Sequence, residues 1–132
     1  MHEIIPRISI DGISFSCCSQ SLIAAGYVED ESRFDEITRW KTFKKDDDLE
    51  FYVDGDAIAC VACFKNCRVN SASLIDQSTS ELMQVLGLPD EIGDSVWVSN
   101  GRQQIPYEYF LLGLQVWFES DRVISVFCNA VY

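Results

Sequence analysis

At 132 residues and 48% apolar content, the chain suits one folded domain (1–132) with a sizeable core rather than a disordered segment. Ten Lys and Arg against 21 Asp and Glu give a formal charge of −11, so counterion release offers nothing and nucleic acid is disfavoured as a partner. The same field favours a basic protein partner.

No stretch reaches the roughly 18 apolar residues of a membrane span. The opening Met-His-Glu-Ile-Ile-Pro lacks a basic region with an apolar run behind it, so the expected location is the cytoplasm, off the membrane. The six cysteines do not read as a disulfide framework. Cys17 and Cys18 are adjacent, Cys60 and Cys63 lie in an apolar strand, and Cys63 and Cys67 have no second pair at metal-ligand spacing. Reduced, mostly buried thiols follow, with no metal and no cofactor.

In chain order, Arg7 to Ser16 alternates apolar and polar residues around Asp11-Gly12, a hairpin signal. Ser19 is placed to cap a short helix through Gln20 to Ala25, closed by Gly26. Tyr27 to Glu36 reads as an acidic connecting loop and Ile37 to Phe43 as a strand. Lys44 to Asp48 forms a solvated turn ahead of a hairpin over Leu49 to Cys63, turning at Asp54-Gly55. Cys67 to Ile75 reads as a further strand. Ser78-Thr-Ser-Glu81 has the form of a capping box, and Leu82, Met83, Val85 and Leu86 give a helical apolar stripe that Gly87 and Pro89 end. Ile92 to Ser99 and Ile105 to Leu111 are the next strands, with Asn100-Gly101 as a turn. A second hairpin over Leu114 to Cys128 turns at Ser120-Asp121.

The two hairpins echo each other at one constant offset. Leu49 matches Leu114, Tyr52 matches Trp117, Asp56 matches Asp121, Val61 matches Val126 and Cys63 matches Cys128. In each, the first strand splits into an apolar face (Leu49, Phe51, Val53; Leu114, Val116, Phe118) and a mixed face (Glu50, Tyr52, Asp54; Gln115, Trp117, Glu119). Each half of the chain, about 1–65 and 66–132, reads as a helix, a glycine stop, an acidic linker and an antiparallel meander. A unit of that size cannot bury its own sheet. The expected fold is α+β: two tandem repeats forming one continuous antiparallel sheet, helices on one face and the other face open.

Catalytic chemistry has little support. The only histidine, His2, is expected at a frayed terminus, which leaves the cysteines without an imidazole base. Asp54-Gly55-Asp56 is too short for a calcium loop, and Asp46-Asp47-Asp48 reads as a solvated turn. No glycine-rich phosphate loop is present. The protein is therefore expected not to be an enzyme.

Leu82-Met-Gln-Val-Leu-Gly-Leu-Pro-Asp90, Tyr107-Glu-Tyr-Phe110, Gly113-Leu-Gln-Val-Trp-Phe118 and Arg122-Val-Ile-Ser-Val126 resemble a recurrent bacterial module. It is similar to the repeat of the β-lactamase inhibitor protein family and its lipoprotein cousins, and to domains of immunity proteins encoded beside polymorphic toxins. The resemblance covers the second half and, in the first, the hairpin and short helix. It implies a binding module whose sheet grips a protein partner. The leading expectation is a cytosolic immunity protein that covers the active site of a cognate toxin. A basic nuclease delivered by contact-dependent inhibition or type VI secretion is the toxin considered. Tyr52 and Trp117 are the candidate anchors, and Asp46, Asp47, Asp48, Glu50, Asp54 and Glu119 the candidate carboxylates standing in for phosphates. The acidic stretch Glu29 to Glu36 is an alternative contact surface. Two alternatives stay open: a small-molecule or peptide site on the open sheet face, and a homodimer that hides it.

Overall fold

The computed structural model describes residues 1–98 and 101–129. In chain order the strands and helices are β1 (His2–Ile5), β2 (Ser9–Ile10), β3 (Ile13–Ser14), α1 (Ser19–Ala24), β4 (Val28–Glu29), β5 (Lys41–Lys44), β6 (Leu49–Asp54), β7 (Ala57–Cys63), β8 (Cys67–Val69) and β9 (Ala72–Ser73). There follow α2 (Thr79–Leu86), β10 (Glu91–Ile92), β11 (Val96–Trp97), β12 (Gln103–Tyr109), β13 (Leu114–Glu119) and β14 (Arg122–Asn129). The class is α+β, mostly sheet with two helices. Neither described helix is long and apolar enough to cross a membrane.

The large sheet runs β10-β12-β13-β14-β7-β6-β5-β4, with β11 also on β12. Its middle is built from the two hairpins, which share one register. Leu49 faces Cys63 and Tyr52 faces Cys60; Leu114 faces Cys128 and Trp117 faces Ser125. Both hairpins slip at the same point, between Tyr52 and Val53 and between Trp117 and Phe118. Such a bulge bends the strand while returning the apolar residues to the core face. The returning strands meet side by side: Val126 on Cys63, Phe127 on Ala62, Cys128 on Val61. Because Val61 matches Val126 and Cys63 matches Cys128, this junction is symmetric about the Ala62–Phe127 pair. The first turn lies one residue later than Asp54-Gly55, since Asp54 pairs with Ala57 and Gly55-Asp56 form the loop.

A single open-faced sheet is not what forms. A second sheet, β3-β2-β1-β8-β9, takes the chain's start and middle. The Asp11-Gly12 turn, both residues at positive φ (52° and 78°), makes the β2–β3 hairpin as expected. β1, however, pairs in parallel with β8, His2 beside Cys67 and Ile4 beside Val69. The span from Cys67 to Ile75 divides into β8 and β9 because Asn70 and Ser71 (φ 52° and 67°) take the left-handed conformation of a tight turn. Ile4, Ile10 and Val69 from this sheet join Leu22 of α1, Leu82 of α2 and the inner residues Phe51, Val61, Val116 and Val126 in one core. The inner face of the large sheet is thus covered by helices and a small sheet together.

The helix ends differ from each other. α2 has the expected capping box: the Glu81 amide donates to Ser78 Oγ at 3.2 Å and the Ser78 amide to Glu81 Oε1 at 3.0 Å. α1 has no side-chain cap at Cys18, and Ser19 is instead the first helical residue. Its amide and hydroxyl both turn to Asp56, reaching the carbonyl at 2.9 Å and Oδ1 at 3.4 Å. Asp121, the match of Asp56, does the same for α2, accepting from the Thr79 hydroxyl at 2.8 Å and amide at 3.3 Å. Each hairpin turn therefore holds the start of one helix.

Two further expectations are corrected. The strand anticipated over Ile37 to Phe43 is confined to Lys41–Lys44, because Asp35 Oδ1 accepts the amides of Ile37 and Thr38 and turns the chain there. The strand anticipated over Ile92 to Ser99 is broken into β10 and β11. Pro106, in the middle of β12, has no N–H for that edge, and its carbonyl accepts from Gly93 at 2.9 Å. Ser99 and Asn100, which complete that strand and begin the anticipated turn, lie outside the described residues.

Candidate partner-binding face

The outer face of the large sheet carries the even-numbered side chains of β6 and, away from the turn, β7, and the odd-numbered ones of β13 and, away from the turn, β14; Ile58 and Val123 beside the turns face the core. At its centre stands Phe127, with Tyr52 stacked on one side (centroids 6.3 Å apart, planes 8° apart) and Phe64 edge-on at 6.4 Å. A groove of about 590 Å³ opens on the Tyr52 side, walled by Phe34, Trp40, Tyr52 and Phe127. Another of about 450 Å³ opens on the Trp117 side, with Phe64, Gln104, Gln115, Trp117, Ser125 and Phe127 along it. Tyr52 and Trp117 are both half-buried, so each offers a ring held in place by neighbours.

Hydrogen bonds fix both anchors. Tyr52 donates its hydroxyl to Glu50 Oε1 at 2.7 Å. Burial, then the Glu50 bond and charge, push its pKa well above the usual value. Glu50 is itself buried and takes a two-pronged contact from Arg33, Nη1 to Oε2 at 2.8 Å and Nη2 to Oε1 at 3.0 Å. That bond raises the Arg33 pKa despite partial burial. Trp117 donates Nε1–H to Gln115 Oε1 at 2.7 Å, and Gln115 donates in turn to Glu108 at 2.5 Å. Glu119 accepts from Arg102 at 2.9 Å and Gln104 at 3.3 Å. Cys60, on the floor of the first groove, is pushed by burial up to a pKa of about 11, so it stays a thiol at neutral pH.

Of the eight anticipated contact residues, five share this face: Tyr52, Trp117, Glu50 and Glu119, with Asp54 at its turn end. The two glutamates are engaged by arginines of the same chain and do not stand as bare carboxylates. Asp46, Asp47 and Asp48 sit on the β5–β6 turn, at the opposite end of β6 from Asp54, the last residue before the hairpin turn. Asp46 accepts the Asp48 amide at 2.8 Å, and Asp47 is exposed beside Lys44 and Lys45. Asp48 accepts from His2 Nε2 at 2.9 Å and Asn66 at 3.2 Å, and these bonds hold its pKa below the usual carboxylate range.

His2 is not frayed. It lies in β1, with Nδ1 2.5 Å from Asp11 and Nε2 2.9 Å from Asp48. Burial alone would lower its pKa, but the hydrogen bonds and charges of the two aspartates outweigh that and raise it. The aromatics whose facing sequence left open now divide. Trp40 lines the first groove, Trp97 is exposed on β11, Tyr107 packs on Phe118 at 4.6 Å, and Tyr109 is buried with its hydroxyl on the Gly87 carbonyl at 3.0 Å.

The residues that sequence reasoning missed are Phe127, Phe64, Phe34 and Arg33. Phe127 and Phe64 are hidden by the register of the returning strands, which a bulge makes unreadable from alternation. Phe34 and Arg33 were reachable only as part of the acidic stretch named as an alternative surface; their pairing with the sheet is non-local. Comparison with protein-family models, with curated proteins and with solved structures finds no match to this chain.

Proposed function

We propose that this protein is a binding module of the immunity type, a cytoplasmic inhibitor that neutralises a basic toxin domain by seating it on the outer face of the large sheet. The observation that carries the reading is the row Tyr52–Phe127–Trp117. These are large rings on a solvent-side face, Tyr52 and Trp117 held by their own hydrogen bonds and Phe127 by ring packing on Tyr52 and Phe64, and two grooves flank them. Rigid, half-exposed aromatics supply contact area at low entropic cost, and such residues dominate interface energetics. The common register of the two hairpins supports the further inference that the chain is a tandem repeat, with Tyr52 and Trp117 as equivalent anchors. The acidic field steers a basic partner, although Glu50 and Glu119 act by positioning Arg33, Tyr52 and Arg102 rather than as free phosphate mimics.

The size of the first groove favours a second reading, a small-molecule site at the same place. One experiment separates the readings: the purified protein as bait in a lysate of its source, at low and high salt, beside Trp117→Ala and Tyr52→Ala. Capture of one basic toxin-like protein, weakened by salt and at least tenfold by either substitution, is expected. Elution alone as a dimer, or a co-purifying small molecule with no protein, would sink the inhibitor reading.

A further inference from the structure

We propose that the groove between the 32–40 loop and the first hairpin is a receptor for one arginine side chain presented by the partner. This rests on the protein-binding reading above and adds the chemistry of a single anchor. Phe34, Trp40, Tyr52 and Phe127 give the groove four aromatic walls, and the face of a ring attracts a cation through its quadrupole. One of those walls already carries such a contact on the chain itself: the guanidinium carbon of Arg39 lies 5.5 Å from the Phe34 centroid.

The polar groups in the groove are those a guanidinium needs. Thr42, paired across the strands with Tyr52 and 3% exposed, lines the groove. A hydroxyl so placed accepts a hydrogen bond from whatever enters. Asp35 adds a carboxylate at the rim, kept ionised by the Thr38 and Ile37 amides, which lower its pKa. Arg33 does not oppose a second cation with its full charge, because Glu50 neutralises it through two hydrogen bonds. The rim segment 29–39 holds more acids than arginines, within a chain of net charge −11. A guanidinium fits better than an ammonium: it is planar, stacks on rings, is weakly hydrated and donates in a fixed plane to the hydroxyl and carboxylate.

The test is a titration of the full chain with acetyl-Gly-Arg-Gly-amide and with the same peptide carrying citrulline, which keeps the shape and removes the charge. The ¹H–¹⁵N NMR signals of the tryptophan indoles, assigned by substitution, give the readout. Saturable shifts at Trp40 are expected, with the arginine peptide about tenfold tighter than the citrulline peptide, the ratio expected for a cation–π contact of about 1.4 kcal/mol. Thr42→Val should weaken the effect, and Trp97→Ala, at an exposed position away from the groove, should leave it unchanged. Equal binding of the two peptides, shifts centred on Trp117, or no saturation up to about 50 mM would each overturn the assignment. Capture of a basic partner through Trp117 with no arginine preference would overturn this inference while leaving the proposed function intact; failure of capture as well would remove both.

Discussion

His2 shows how a single side chain ties distant parts of the chain together. One ring nitrogen holds the β2–β3 turn through Asp11, the other the β5–β6 turn through Asp48, and the backbone between them is β1. The aspartate contacts raise the His2 pKa and lower that of Asp48, so the sign of the pH dependence follows by linkage. The His2 contribution is fully present below the unfolded-histidine value of about 6.5 and is lost as pH rises through the higher folded value. The Asp48 contribution is present above the ordinary aspartate range and is lost as pH falls through its depressed folded value. Urea unfolding should therefore favour pH about 5.5 over about 8.5 by a margin of about 0.5–1 kcal/mol more in the native chain than in His2→Gln. An identical pH response in the two proteins would show that the clamp carries no charge-dependent stability. Asp56 and Asp121 make a related point. Their match was visible in sequence, but its reason, the docking of Ser19 and Thr79, was not.

At the scale of elements, legibility followed locality. The hairpins, α2 and its capping box were readable because alternation, a turn pair or a hydroxyl three residues from a glutamate is a local signal. The 27–40 segment was not readable, because its path depends on the Asp35 turn and on Arg33 reaching Glu50 across the sheet. Nor was β1, whose parallel partner β8 is far along the chain. The candidate face was half legible: Tyr52 and Trp117 came from their matched places, but Phe127 between them required the register. The edge of the sheet offers a sharp test. A Cβ added at Gly93 would lie 2.7 Å from Pro106 Cγ, closer than packed atoms tolerate, so Gly93→Ala should cost about 1–3 kcal/mol in urea unfolding. Pro106→Ala in the same chain should return part of that loss. Full stability of the single variant, or no relief in the double, would contradict the contact.

For the whole molecule, the order of strands matters more than their number. β7 and β14 lie at the middle of the large sheet, yet they end the two halves of the chain. β1 and β8 likewise join the halves within the small sheet, and Arg7 reaches from the β1–β2 loop to the Phe110 and Leu111 carbonyls. Cut between 65 and 66, the chain would yield two pieces, each with a bare central strand whose hydrogen-bonding groups want a neighbour. Since the junction is symmetric about Ala62 and Phe127, the strand that fits either piece is its counterpart or a second copy of itself. The 66–132 fragment alone should then self-associate, and adding 1–65 should dissolve that assembly into a one-to-one complex. A lone fragment that stays monomeric and folded would contradict this. The seam that makes the sheet continuous is also where the protein can be divided and rejoined, as a split reporter for any partner that bridges its two halves.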